Sequence, residues 1–255
     1  MGQKVEVGGT GYDLKGGKPL IGGTAYAIKK GRTLIGGTGY DISFASGVPL
    51  SELTPGTILY INESGSPVPF YVAKHDYESG LNGAGRTLVV RKNCYNMQQF
   101  NDYNSTNNEY ANSLLDNLFC NTYLKLLDSD IRAAIGTTKF YYTPGNRTFD
   151  MTTLQRAVFQ LSLTEYGLSF YMCNVEGSAL PIATTLQIAY LDGSAVVQWT
   201  RSPGRSDASF LATVTNEGAV GSTSFNFNAG SRPAFTLPAT MEAQDNGDGT
   251  YSPSE

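Results

Sequence analysis

The sequence predicts an α+β protein in two parts: a ribbon of short strands over residues 1–43, then a mixed domain over residues 44–240, with an acidic flexible tail at 241–255. Three observations carry this. A strict 14-residue repeat fills the first part. Short apolar runs between Gly, Pro and Asn breaks dominate the second. Two stretches between residues 113 and 136 instead show the spacing and caps of helices.

The repeat comes first. Gly8-Gly9-Thr10-Gly11-Tyr12-Asp13-Leu14 returns as Gly22-Gly23-Thr24-Ala25-Tyr26-Ala27-Ile28 and again as Gly36-Gly37-Thr38-Gly39-Tyr40-Asp41-Ile42. The alternation of Thr10, Tyr12 and Leu14 with small or polar neighbours is the period of a strand. The Gly pairs between runs supply the positive φ that tight turns demand. A meander of such short strands has one narrow apolar stripe and is marginal by itself in water. Its expected contacts are therefore Tyr12, Leu14, Tyr26, Ile28, Tyr40 and Ile42, packed on the following domain, on another protein or on copies of the same ribbon. The alternative is a flexible Gly-rich linker, although a linker has no reason to keep Tyr and Leu in register.

Composition bounds the rest. Charged residues make up only 16% while Gly and Tyr are abundant, the profile of a β-rich and loop-rich chain. The net charge of −4 argues against a nucleic-acid partner. Residues 1–43 hold six Lys/Arg against three Asp/Glu, whereas 241–255 hold four acids and no base. No apolar run approaches the ~20 residues of a membrane helix, and Met1-Gly2-Gln3-Lys4 does not open a secretory leader. Cys94, Cys120 and Cys173 form neither a metal pattern nor a disulfide framework, so free buried thiols are expected.

Along the domain, residues 57–61, 69–75 and 87–92 read as strands of a small antiparallel sheet. Residues 95–112 are a long polar loop. Ser113 caps a helix whose broad apolar face carries Leu114, Leu115, Leu118, Phe119, Leu126 and Leu127. Asp128-Ser129-Asp130 caps a second, short helix ended by Gly136. Short strands resume at residues 158–161, 196–203, 209–214 and 230–238.

Two sets of residues carry resemblances. The Gly-Gly-Thr-x-Tyr tract resembles repeats in tail and structural proteins of phages from gut Firmicutes, and its length and Gly turns resemble fibrous viral shafts. In the domain, Phe159-x-Leu161-Ser162-x-x-Glu165-x-Gly167, Trp199-x-Arg201-Ser202-Pro203 and Gly230-x-Arg232-Pro233-Ala234-Phe235-x-Leu237-Pro238 resemble an uncharacterised domain family of phages and gut Firmicutes. Their order is similar to the C-type-lectin-like folds of formylglycine-generating enzymes and of variable phage receptor-binding proteins. The resemblance implies a virion protein made in the host cytoplasm, a tail fibre or receptor-binding protein. Its partners would be itself, as a homotrimer, other virion proteins and a host-surface glycan. A capsid decoration or baseplate component without a host ligand is the alternative.

Candidate chemistry is sparse. The oxidase members of the lectin-like group need a late Cys pair, and this chain has no Cys after Cys173; no enzymatic activity and no cofactor or metal are expected. His75 is the only histidine, and no nucleophile is singled out beside it. Glu165, Glu176, Asp192 and Asp207 are the acids that a glycan-degrading enzyme would draw on, but none has a telling spacing. Asp128 and Asp130 read as first-turn acids of a helix. Arg201 and Arg232 are expected in buried bidentate pairs, with Glu165 as a partner, rather than on an anionic ligand. Trp199 reads as a core anchor rather than a sugar platform. Glu165, Trp199, Arg201 and Arg232 are thus expected to hold the fold, and the ligand-binding residues stay unassigned.

Overall fold

A computed structural model describes residues 4–7, 10–15, 18–21, 24–25, 30–35, 38–43, 47–102, 108–205 and 207–254. In the N-terminal part the backbone follows the repeat. Strands Lys4–Val7, Thr10–Lys15, Lys18–Ile21 and Thr24–Ala25 pair antiparallel in chain order, and Lys30–Ile35 forms a hairpin with Thr38–Ser43. Tyr12, Leu14, Tyr40 and Ile42 lie on these strands. Tyr26 and Ile28 lie outside the described residues.

The remainder is mostly β, with a few short helices. Eight strands form the larger sheet, in the order Val158–Gln160, Pro233–Pro238, Arg86–Arg91, Ser66–His75, Ile58–Glu63, Thr250–Pro253, Glu242–Asp245 and Val48–Pro49. All neighbours are antiparallel except Thr250–Pro253, which runs parallel to Ile58–Glu63. The second sheet orders Asn96–Gln99, Asn228–Ser231, Gln198–Pro203, Phe210–Val214 and Val220–Ser224. Two further hairpins, Thr138–Tyr142 with Thr152–Arg156 and Ala189–Leu191 with Ser194–Val196, stand beside the sheets.

The apolar pattern explains the layering. Along Ile58–Glu63 every second residue is buried, so Leu59, Ile61 and Glu63 face inward. Leu88, Val89 and Val90 are buried on both faces of a central strand. One continuous core joins the sheets to the helices, with Phe70 edge-on to Phe235 and Phe140 stacked on Phe159 at 4.6 Å. The inward Glu63 is neutralised by Arg91, which grips both its oxygens at 2.8 and 3.1 Å, while the Tyr123 hydroxyl donates to the same carboxylate.

The expected long helix opens at Ser113, whose Oγ accepts from the Asp116 N–H at 3.0 Å. It does not keep one pitch. Leu114–Asn117 is α-helical, Leu118–Thr122 a π turn and Tyr123–Leu126 a 3-10 turn. The buried residues Leu115, Phe119, Tyr123 and Leu127 recur every four positions. An α-helix drifts away from such a row, and a wider turn brings it back to the core. Arg156 then clamps the Asp116 carboxylate at 2.8 Å, tying this segment to the neighbouring hairpin.

Three expectations are corrected. Asp128 holds the N-cap position of the Ser129–Ala134 helix, but its carboxylate makes no capping bond and accepts instead from Asn62 Nδ2 at 2.8 Å. Gly136 is not a left-handed terminator. A Cβ there would lie 2.6 Å from the Arg86 guanidinium, so the absent side chain makes room for that group. Residues 241–255 are not a flexible tail, because Glu242–Asp245 and Thr250–Pro253 are integral to the eight-stranded sheet. The acidic run makes the turn between them: Asp245 Oδ1 accepts from the Gly247 N–H and Asp248 Oδ1 from the Thr250 N–H.

Candidate functional site

Glu165, Trp199, Arg201 and Arg232 are all fully buried. Arg201 Nη1 donates to Glu165 Oε2 at 2.6 Å and to the Gln160 carbonyl, its Nε reaches the Tyr141 carbonyl, and its plane lies 4.5 Å from the Phe140 ring centre. Burial alone would lower the Arg201 pKa, but Glu165 reverses this and keeps the guanidinium charged. The Tyr77 hydroxyl donates to the other Glu165 oxygen. Burial, reinforced by that carboxylate, holds Tyr77 well above the usual phenol range. Trp199 Nε1 donates to the Gln98 carbonyl at 2.6 Å and its ring meets Phe100 edge-on.

Arg232 departs from the expected carboxylate pair. Its fork is filled by the carbonyls of Arg91, Lys92 and Leu186 and by Gln198 Oε1. Converging main-chain dipoles thus satisfy the buried charge, and the side chain fastens three chain segments at once. Neither arginine is open to a ligand.

The other candidate acids do not converge on a groove. Glu176 is buried, accepting from the Thr143 N–H at 2.6 Å and from Ser202 Oγ at 2.5 Å, and burial raises its pKa. Asp192 occupies a hairpin turn at φ 50°. Asp207 accepts from the Ser209 N–H within its own loop. His75 is half-buried, with Nε2 donating to the Leu53 carbonyl and Nδ1 bonded to the Thr87 hydroxyl. Cys94, Cys120 and Cys173 are free thiols, and burial pushes them to about 11, about 12 and about 12, leaving little thiolate at neutral pH.

What does reach the surface is a face of loops at one end of the domain. Tyr171 is 79% exposed, Val175 70% and Phe149 59%. Phe149 and Tyr171 are joined by Arg205, whose guanidinium lies 5.9 Å from the Phe149 ring centre and donates to the Tyr171 carbonyl at 2.8 Å. Asn174 Nδ2 donates to the Phe149 carbonyl at 2.9 Å. Beneath them Asn108 is fully buried. Its amide donates to the carbonyls of Gly204, Asp207 and Phe210, and its Oδ1 accepts from the Asn146 N–H. Gly145, Asn146 and Arg147 all have positive φ, and a Cβ on Gly145 would lie 2.7 Å from Asn108 Oδ1. The aromatic display therefore stands on a rigid base.

Residues 84–239 match the family described as a domain of unknown function, DUF6273. The chain belongs to this family. No curated protein and no solved structure matches it. The DUF6273 segment contains all four motif residues and the aromatic face. It omits Ile58–Glu63, Ser66–His75 and the Glu242–Pro253 hairpin, although these complete the larger sheet. Sequence reasoning named the four buried residues but not Asn108, Phe149, Tyr171, Asn174 or Arg205. The local signals were the Gly145-Asn146 turn pair and the unusual stretch Phe170-Tyr171, neither of which reveals that these loops meet.

Proposed function

We propose that this chain is a phage virion protein, a tail fibre or receptor-binding component, that displays a C-type-lectin-like domain and binds a host-surface glycan through the Phe149/Tyr171 face. The observation that carries this reading is the pair of exposed rings on loops locked from below by Asn108 and Arg205. Exposing such rings on water-facing loops brings the fold nothing, whereas a sugar ring stacks its apolar face on an aromatic side chain while neighbouring amides and guanidinium take its hydroxyls. Asn174 and Arg205 stand where those polar contacts would be made. The repeat stem supports assembly into a homotrimer or attachment to other virion proteins, and several copies would add avidity to weak single sites.

The test is binding of the purified protein to host cells and to their isolated wall polysaccharide. The double variant Phe149→Ala/Tyr171→Ala should lose most of that binding at unchanged melting temperature. Wild-type protein that binds neither material would instead favour the decoration or baseplate role.

A further inference from the structure

The buried and half-buried arginines of this domain are matched in one of two ways, with one exception. Arg91, Arg156 and Arg201 each meet a carboxylate, at 2.6 to 2.8 Å. Arg86 and Arg232 meet no acid among the described residues, but carbonyl, hydroxyl and amide oxygens fill their forks. Arg205, which joins Phe149 to Tyr171, has neither match. Among the described residues no carboxylate lies within 4.0 Å of it. Its Nη2 donates to the Tyr171 carbonyl at 2.8 Å in a bond open to solvent. Its Nη1 reaches Asn174 Oδ1 only at 3.4 Å, which is long and weak, and its Nε is shut off from solvent without an acceptor.

The neighbours do not make up the deficit. Asp207 is held by the hydroxyl and N–H of Ser209 and then by the charge of Arg147, which together lower its pKa. Asn174 Nδ2 has spent both hydrogens, on the Thr143 hydroxyl at 3.1 Å and on the Phe149 carbonyl at 2.9 Å. The donors that Arg205 and Asn174 leave for a ligand are therefore those of a half-buried cation without a counter-ion. Such a cation is served better by an anion than by a neutral hydroxyl. Charge-assisted bonds are about twice as strong as neutral ones, and the planar fork fits two oxygens of a carboxylate or phosphate. The chain as a whole carries −4, so the attraction is local to this spot rather than a long-range field.

We propose that the Phe149/Tyr171 face selects an acidic saccharide, whose ring lies against the exposed aromatic side chains while its carboxylate or phosphate pairs with the Arg205 guanidinium. This rests on the glycan-binding reading above and adds to it the charge of the sugar. The anion supplies the strong acceptor that Asn174 does not, at the end of the fork that already faces water. A neutral sugar gains the ring contact alone and leaves the cation without its counter-ion.

The experiment takes oligosaccharides released from the host wall polysaccharide and separates them by anion exchange into neutral and acidic fractions. Each fraction is titrated into the isotope-labelled full chain, following the Nε–H resonance of Arg205 by NMR. The acidic fraction should bind about tenfold more tightly than the neutral one, shift that resonance, and lose its advantage in about 0.5 M salt. Carbodiimide–borohydride reduction should abolish the advantage where the group is a carboxylate, and mild hydrofluoric acid where it is a phosphate. An advantage that survives both treatments overturns the proposal. Arg205→Lys keeps the charge without the fork, and Arg205→Gln removes both, so the ratio of acidic to neutral affinity should fall in that order, with melting temperature reporting the fold. The wild-type titrations need no substitution, so a variant that fails to fold leaves the test standing. Equal affinity for the two fractions, or an unchanged ratio in folded Arg205→Gln, overturns this inference and leaves the glycan reading intact. Binding of neither fraction overturns both.

Discussion

Arg201 is fully buried with Glu165, Gln160 and Tyr141 around it. Removing one partner of such a pair strands a buried charge. Glu165→Ala should therefore cost about 3 to 5 kcal/mol, read from urea unfolding, whereas Tyr77→Phe removes one hydroxyl and should cost about 1 to 2 kcal/mol. Equal effects of the two would show that Glu165 is not the keystone of the cluster. Glu176 gives a pH test. Burial raises its pKa above the ordinary 4.5, so the folded protein holds this proton to higher pH than the unfolded chain does. Its contribution to stability is full below about pH 4.5 and is lost as pH rises through the raised value. Glu176→Gln keeps the acceptor for Thr143 N–H and can donate to Ser202, so it should flatten that decline and match or exceed wild type at neutral pH. Superimposable pH–stability curves would contradict this. Trp199 was readable as a core anchor because it is the largest apolar side chain in the sequence, and Arg201 through the acid Glu165 that could pair with it. Arg232 was misread in one respect: sequence shows a guanidinium but not three carbonyls from distant segments converging on it.

Among the elements, the four loops of the aromatic face depend on Asn108. Asn108→Ala takes a donor from the Gly204, Asp207 and Phe210 carbonyls, the last of which keeps the Gly204 N–H, and an acceptor from the Asn146 N–H; it should cost about 1 to 3 kcal/mol and weaken host binding with it. Gly145→Ala strikes the same contact sterically and should act in the same direction. Near-wild-type melting of both variants would show that the loops are held by something else. None of this could be read locally, because residues 108, 146, 174 and 205 belong to separate loops and only the fold brings them together. The helices were legible through Ser113 and the Leu/Phe face, while their changes of pitch arise from packing. The two C-terminal strands were missed for a different reason. Four acids and two glycines describe a solvated segment, yet Asn246-Gly247-Asp248-Gly249 is also a turn sequence, and the strands flanking it find a sheet edge. Deleting residues 241–255 should lower the melting temperature by several degrees and promote aggregation, because the edge of Ile58–Glu63 would be bared. A true tail could be cut without either effect.

The whole molecule divides between a repeat legible at first sight and a domain in which about half of the strands were placed and their order was not; Asn96–Gln99, for one, lies within the stretch read as a polar loop. Local pattern placed strands at residues 57–61, 69–75, 87–92, 196–203, 209–214 and 230–238, and each overlaps an observed strand. It could not show that Val158–Gln160 and Thr250–Pro253 join one sheet, since pairing between distant segments leaves no local trace. Removing residues 1–46 should leave a folded monomer that melts like the full chain, while sedimentation of the full chain should show an oligomer. Equal masses per particle, scaled to one chain each, would deny the stem its assembling role.

The parallel pairing of Thr250 with Ile58 also sets a schedule. At a ribosomal pace of 5–20 residues per second, the roughly 190 residues between them take about 10 to 40 s to appear. During that interval the ribbon is already outside the ribosome and the larger sheet lacks a middle strand. If ribbons of separate copies pair as proposed, those on neighbouring ribosomes of one messenger would meet before any domain has closed, and partner choice would precede folding.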